Sequence, residues 1–117
     1  MAWLVEFHDE FYEEYRDFAP EVQKKIAKNA KLLEEHGPTL PRPYADTVTN
    51  STYKNMKELR CTINSREWRI LFAFDPDRKA ILLSGGDKGK DEKGFYDEAI
   101  SIADRRFQEH LDQRSAS

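Results

Sequence analysis

Hydrophobic and polar residues alternate along two consecutive segments in the middle of the chain, residues 58–63 and 68–74. A period of two residues is typical of strands that bury one face. Asn64-Ser65 lies between the segments and suits a tight hairpin turn. The apolar positions assigned to the core are Leu59, Cys61, Ile63, Trp68, Ile70, Phe72 and Phe74. The pattern therefore predicts an antiparallel hairpin with these residues on one face.

The opposite face of the predicted hairpin carries two arginines. Side-chain parity assigns to it Arg60, Thr62, Arg69 and Leu71. With a two-residue turn, Arg60 lies directly opposite Arg69, and like charges in that position are destabilising unless they are neutralised. Pairing with Glu58 or Glu67 is one explanation, but the register does not guarantee those contacts. A bound anion is the favoured interpretation.

This interpretation carries an expectation about stability. Both arginine side chains lie off the predicted core face, so alanine at either position should leave the free energy of unfolding unchanged or slightly higher, within about 1 kcal/mol. Activity, in contrast, should fall sharply because a charge that stabilises a developing oxyanion is lost.

The remaining pattern predicts two more strands and three helices. Residues 3–7 predict a first strand, and Asp9 can cap the helix that follows. A second helix begins at Pro20 and ends at Gly37-Pro38. Residues 38–56 have no apolar period and predict a long ordered loop, of a kind that often carries function. Residues 80–83 predict another strand, and a last helix begins near Lys93.

The resulting order, β-α-α-β-β-β-α, predicts an α+β fold with an antiparallel-dominated sheet and helices packed on one of its faces. A chain of 117 residues is long enough for one hydrophobic core. Residues 1–112 are therefore assigned to a single domain. The polar residues 113–117 are expected to form a frayed tail.

Composition and charge limit the compartment and the partners that the sequence predicts. The net charge is −3, although residues 54–94 carry ten basic and seven acidic side chains. The single cysteine excludes an internal disulfide. No apolar run approaches the roughly 20 residues of a membrane span, and no signal pattern opens the chain. These observations predict a cytoplasmic protein without a membrane partner.

Several further residues are candidates for chemistry on the arginine face. Lys88 follows the last strand, where an ammonium can meet a phosphate, and Lys90 closes the adjacent glycine-rich stretch. Lys54 and Lys57 precede the second strand and are candidates for RNA contacts in the same region. Tyr96 is a candidate general acid or base, with core packing as the alternative. The three histidines share no ligand spacing, so neither a metal nor a cofactor is expected.

Four segments resemble the RelE/HigB toxin superfamily, in particular its branch of phage-derived, HigB-like toxins. They are ELR at 58–60, WRILFAFD at 68–75, ILLSGGDK at 81–88 and FYDEAI at 95–100. The resemblance extends from Trp3 to about Leu111, and the predicted element order agrees with it. It implies a RelE-like fold and the toxin of a type II toxin–antitoxin pair, whose partner is a small helix-turn-helix antitoxin.

The resemblance also implies an activity. Typical members of the superfamily bind the ribosomal A site and cut mRNA without a metal, leaving a 2′,3′-cyclic phosphate. By position, Arg60 and Arg69 match the arginines of the second and central strands, and Lys88 matches the basic residue after the last strand. Arginine suits phosphate because its planar guanidinium binds two oxygens and stays charged.

The chain departs from the superfamily pattern in two places: its charge is acidic, and Gly86-Asp87-Lys88-Gly89 stands where the branch more often has two adjacent lysines after an aromatic residue. No histidine is available there either, so the general base is unassigned. Tyr96 or a lysine is the candidate for it. Two alternatives to an mRNA endoribonuclease remain. One is a ParE-like toxin that inhibits gyrase by binding, and the other is a non-catalytic binding module of the same fold.

Overall fold

The computed structural model describes residues 3–116, which form five strands and three α-helices. The strands are β1 (Leu4–Phe7), β2 (Ala45–Thr47), β3 (Met56–Ile63), β4 (Arg66–Phe74) and β5 (Lys79–Asp87). The α-helices are α1 (Asp9–Arg16), α2 (Pro20–His36) and α3 (Glu92–Ala116), and a short 3-10 turn covers Gly37–Thr39. None of the described helices is long and apolar enough to cross a membrane.

The strands form one sheet in the order β1-β5-β4-β3-β2. β1 runs parallel to β5, and every other neighbouring pair is antiparallel. The predicted α+β class with an antiparallel-dominated sheet is confirmed. The predicted hairpin is also confirmed: Ile63 pairs with Arg66, and both turn residues have positive φ, 52° at Asn64 and 67° at Ser65. Such a turn matches the twist of its strands and fixes their register.

β2 lies in the segment that was predicted to be a loop. Ala45 pairs with Leu59 across the outer edge of β3 and is buried with it. A strand of three residues is too short to show a period of two, which explains why the sequence pattern did not reveal it.

The helices pack on both faces of the sheet, which corrects the prediction that they share one face. The α2-side core lies under α1 and α2 and includes Phe11, Val22, Ile26, Leu33, Leu59, Cys61, Ile63, Ile70, Phe72 and Leu82. The α3-side core lies under α3 and includes Met56, Leu71, Ala73, Ile81, Leu83, Ala99, Ala103 and Phe107. Residues 70–74 and 80–83 are apolar without interruption, as expected for strands buried on both faces.

The position of α3 is fixed by polar contacts as well as by the α3-side core. The Ser84 hydroxyl donates to the Ala99 carbonyl at 2.8 Å. Buried Arg106 donates to the Leu83 carbonyl at 2.8 Å and pairs with Glu10 and Glu14 of α1. α3 continues through Ala116, so residues 113–116 are helical where a frayed tail was predicted. Ser117 lies outside the described residues.

Two adjacent glycines of β5 give a test of how closely the strands pack. A Cβ on Gly85 would lie 2.5 Å from the Arg69 carbonyl oxygen and 2.7 Å from Ile70 Cδ1, whereas a Cβ on Gly86 would come no closer than 3.8 Å to Phe95. We expect Gly85→Ala to lower the free energy of unfolding by about 1–3 kcal/mol, because the backbone of β4 must shift. Gly86→Ala is the matched control and should stay within about 0.5 kcal/mol. Chemical denaturation measures both, and equal stabilities would contradict this packing.

Candidate functional site

Polar rows cross the sheet on the face covered by the first turns of α3. The register places Arg60 opposite Arg69, as the sequence predicted. In the neighbouring row, Asp46 of β2 lies opposite Glu58 of β3. Because opposed residues of antiparallel strands project to the same face, these four side chains form one charged patch.

Glu58 supplies the negative charge for the arginine pair. Its Oε2 lies 2.8 Å from Arg60 Nη1 and 3.8 Å from Arg69 Nε. Only 4% of Glu58 and 2% of Arg69 is exposed. Pairing with Glu58, one of the two partners that the sequence left open, is therefore observed, and an anion at the arginine pair stays a prediction. The available signal was spacing, since residues two apart on a strand share a face.

The next row extends the network toward the end of β5. Glu67 lies 3.6 Å from Arg69 Nη2 and accepts a hydrogen bond from the Thr62 hydroxyl at 2.7 Å. The Lys88 backbone N–H donates to the Glu67 carbonyl at 2.7 Å, which continues the β4–β5 ladder. The hydrogen bond from Thr62 and the charge of Arg69 hold the pKa of Glu67 below its usual range. Lys88 thus lies one row away from the arginine pair.

Arg69 keeps one buried donor without a hydrogen bond. Its Nε is inaccessible and has no hydrogen-bond partner, because Glu58 at 3.8 Å is too far away. A buried unsatisfied donor on a charged group is costly, so an acceptor that reached it would be strongly favoured. Phosphate oxygens are acceptors of that kind.

Tyr96 closes the network from α3. Its hydroxyl donates to Glu58 Oε1 at 2.5 Å. Burial, followed by the Glu58 carboxylate, raises the pKa of Tyr96 to about 12. The phenol therefore keeps its proton at neutral pH, so it is suited to donate a hydrogen bond or a proton. A general-base role for Tyr96 is disfavoured, and Glu58 is the carboxylate placed to accept a proton.

Of the four lysines that the sequence proposed for the site, Lys88 lies near this network, whereas Lys54 and Lys57 do not. Lys88 pairs with Glu92 at 3.1 Å, and exposed Lys90 lies with Arg66 around a shallow pocket beside the hairpin turn. Lys57 does not share the arginine face, because its register partner is Phe72 of the α2-side core.

Lys54 also lies away from the arginine pair. The preceding residues are tied to the middle of α3: Ser51 donates to Asp104 at 2.6 Å, and Tyr53 donates to Gln108. Asp104 is eight residues from Tyr96, which corresponds to roughly 12 Å along a helix. Residue patterning does not indicate this separation, because it depends on how the 48–55 segment packs on α3.

A cleft of about 370 Å³ opens beside the network, between the 47–50 segment and the first turns of α3. Glu58 and Tyr96 line one wall, so the carboxylate and the phenol both face the opening. Its other charged lining residues are Glu92, Lys93 and Asp97. The lining carries more negative than positive charge, which disfavours the binding of a free polyanion from solution.

One potential metal-ligand group lies elsewhere among the described residues. His8, Glu10 and Glu109 have ligand atoms within 4.8 Å of one another. His8 Nδ1 accepts the hydrogen bond that caps α1, however, and Glu10 pairs with Arg105 and Arg106. These side chains are therefore engaged in capping and ion pairs.

Together, the fold and the site define a class: small α+β proteins in which a C-terminal helix covers an arginine–carboxylate–tyrosine cluster on an antiparallel-dominated sheet. The chain belongs to the family described as phage derived protein Gp49-like (DUF891), which matches residues 13–108, and with it to the RelE/HigB toxin superfamily.

Two relatives come from Mycobacterium tuberculosis (strain ATCC 25618 / H37Rv), and both are named as candidate toxins. The chain is 54% identical to HigB2 over 94 residues, which is 80% of this chain and 47% of that protein. It is 58% identical to HigB3 over 80 residues, which is 68% of each chain. The chain thus spans about half the length of the first relative and two thirds of the second.

Two solved structures share the fold. A mutant of the E. coli toxin RelE in the free state matches with a TM-score of 0.61 and 16% identity, covering 86% of this chain and 97% of that one. The archaeal RelE–RelB complex from Pyrococcus horikoshii OT3 matches with a TM-score of 0.57 and 12% identity, covering 77% and 99%. The predicted RelE-like fold is confirmed.

The burial of Arg69 revises the expected stability of the arginine variants. Arg69→Ala leaves a cavity and removes a cation from buried Glu58, so we expect a loss of about 3 kcal/mol in the free energy of unfolding. Arg60→Ala should lose about 1 kcal/mol, because that side chain is 25% exposed. Arg66→Ala, on the same strand and 67% exposed, is the control and should change little. Urea melts test this order, and an Arg69→Ala variant as stable as Arg66→Ala would refute it.

Proposed function

We propose that this chain is the toxin of a type II toxin–antitoxin pair and that it cleaves mRNA on the ribosome. The observation that carries the proposal is the position of Glu58, which contacts Arg60, Arg69 and Tyr96 at the wall of the cleft. RNA cleavage by its own 2′-hydroxyl requires a general base, a general acid and stabilisation of the phosphorane charge, and a carboxylate, a protonated phenol and two guanidinium groups can supply them. Similarity to the HigB and RelE toxins supports the same conclusion.

Cleavage begins with deprotonation of the ribose 2′-hydroxyl. Glu58 accepts that proton, and the 2′-oxygen forms a bond to the adjacent phosphorus. Arg60 and Arg69 stabilise the negative charge that develops on the phosphorane oxygens, with Lys88 one row away as an additional cation. The 5′-oxygen leaves and takes a proton, for which Tyr96 is the donor. The products are a 2′,3′-cyclic phosphate and a 5′-hydroxyl.

The free protein is closed for this reaction. The Tyr96 hydroxyl and Glu58 Oε1 are 2.5 Å apart, so a phosphate cannot lie between them until that hydrogen bond opens. Arg69 must also exchange Glu58 for a phosphate oxygen. Because the protein has an acidic cleft and a net charge of −3, it attracts free RNA only weakly, and this exchange gains little from electrostatics. An mRNA strand already held by the ribosome supplies the positioning instead, which supports ribosome dependence and a cytoplasmic site of action.

The partner in this proposal is a small antitoxin of the helix-turn-helix type. The archaeal relative of the fold was solved as a RelE–RelB complex, which supports a protein partner for the fold. A helix-turn-helix gene beside this one, whose product restores growth when both are expressed, would support the pairing. Toxicity that no neighbouring gene relieves would count against it.

The mechanism predicts that removing the general base and removing the general acid lower the cleavage rate by different amounts. Glu58→Gln should lower the cleavage rate on programmed ribosomes at least about 100-fold, because the amide cannot accept the 2′-hydroxyl proton. Tyr96→Phe should lower the cleavage rate roughly 10- to 100-fold, a smaller effect, since water can replace the phenol as proton donor. Asp97→Asn, which also lines the cleft but pairs only with exposed Lys93, is the matched control and should cleave normally.

End-group analysis of the products, repeated with EDTA, completes this test. A 2′,3′-cyclic phosphate and EDTA-resistant cleavage are expected. Full activity of Glu58→Gln would remove Glu58 from the mechanism.

The target is predicted to be translation. After induction without antitoxin, incorporation of labelled amino acids should stop before incorporation of labelled thymidine. Pulse labelling measures both, with Glu58→Gln as the inactive control. An early arrest of DNA synthesis while translation continues would instead assign the protein to the gyrase-inhibiting class.

A further inference from the structure

An exposed tyrosine whose backbone is hydrogen-bonded to that of Arg60 has no role in the proposed reaction. Tyr44 is 43% exposed and immediately precedes β2. Its carbonyl accepts a hydrogen bond from the Arg60 N–H at 2.8 Å, so Tyr44 extends the β2–β3 ladder opposite Arg60. Ala45 faces the α2-side core, and continuing the alternation of β2 back by one residue assigns Tyr44 to the opposite, arginine face.

The backbone around Tyr44 is held in place. Its N–H donates to the Pro41 carbonyl at 3.0 Å, and the Ala45 N–H donates to the same oxygen at 3.1 Å. Prolines at 41 and 43 further restrict this segment because their rings fix φ. An exposed aromatic ring on a restrained backbone loses little conformational entropy when a ligand covers it.

A guanidinium group accompanies the ring. Arg42 is 69% exposed and pairs with Asp46 at 2.6 Å. Asp46 lies in register with Glu58, and the hydrogen bond to Asp46, with a smaller contribution from the Glu58 carboxylate, raises the pKa of Arg42. An exposed ion pair of this kind contributes little free energy, so Arg42 can exchange Asp46 for a phosphate.

We propose that Tyr44 and Arg42 form a nucleotide-binding subsite that holds an unpaired base next to the scissile phosphate. The base stacks on the Tyr44 ring, and Arg42 contacts a neighbouring phosphate. Stacking on an exposed aromatic beside a cationic groove is the usual means of holding single-stranded RNA. The hydrogen bond from the Arg60 N–H places the Tyr44 backbone next to the backbone of Arg60, at the usual inter-strand spacing of roughly 4.8 Å. This inference names the substrate contact of the site in the proposed function and rests on it.

Proton NMR with an uncleavable ligand tests the subsite without requiring cleavage. A single-stranded 2′-O-methyl RNA pentamer is titrated to millimolar concentration, where even weak binding is visible. We expect upfield shifts of the Tyr44 ring protons, identified by their loss in Tyr44→Phe. Tyr12, the matched control, is 46% exposed on α1 and should not shift. A Tyr44 ring that does not move, or that moves no more than Tyr12, would overturn the proposal.

Cleavage kinetics on programmed ribosomes give the second readout. Tyr44→Ala should raise the concentration for half-maximal cleavage about tenfold with little change in the maximal rate. Tyr44→Phe should retain wild-type behaviour, because it keeps the ring, and Tyr12→Ala should be silent. Normal kinetics in Tyr44→Ala would show that the ring contacts no substrate. A raised half-maximal concentration in Tyr44→Phe would show that the hydroxyl, and not the ring, binds the RNA.

The two readouts separate this inference from the proposed function. Ring shifts on a protein that never cleaves mRNA would retain the subsite and reject the nuclease. Cleavage with a silent Tyr44 would reject the subsite alone. Binding of the antitoxin that is lost in Tyr44→Ala, while the pentamer leaves the ring unmoved, would reassign this surface to a protein partner.

Discussion

The buried carboxylate of Glu58 is the interaction on which the arrangement of the site depends. The hairpin register forces Arg60 and Arg69 together, and burial of Arg69 would be unfavourable without a counter-charge. Glu58 contacts both guanidinium groups and also accepts a hydrogen bond from the Tyr96 hydroxyl on α3. One side chain therefore neutralises the β3–β4 pair and ties the first turns of the last helix to the sheet.

This arrangement couples stability to the proposed chemistry. A carboxylate that accepts hydrogen bonds from Arg60 and Tyr96 and lies beside the Arg69 cation is well oriented, but the same contacts occupy the groups that would meet a substrate. One donor of the network stays unsatisfied, because the buried Nε of Arg69 has no hydrogen-bond partner. A phosphate oxygen that reached this atom would satisfy it, so part of the free energy needed to open the network is recovered when the substrate binds.

The sequence predicted those features that local rules determine. A two-residue turn with positive φ fixes the hairpin register, so the opposition of Arg60 and Arg69 followed from the alternation and from Asn64-Ser65. The contacts of Glu58 did not follow, because parity assigns a face but does not determine where a long side chain ends. Likewise, the face that α3 covers depends on tertiary packing, although the uninterrupted apolar run at residues 70–74 was a usable signal.

The acidic composition of the chain is compatible with the proposed action on RNA when charge is considered locally. On the arginine face, each cation has a carboxylate nearby: Arg42 has Asp46, Arg60 has Glu58, and Arg69 has both Glu58 and Glu67. Such pairs suppress binding to phosphate backbones in general, since every contact must first displace a carboxylate. An RNA strand that is already positioned, with a base on Tyr44, brings its phosphates to the arginines at high local concentration. In the proposed function, paired charges therefore favour ribosome-held mRNA over free RNA.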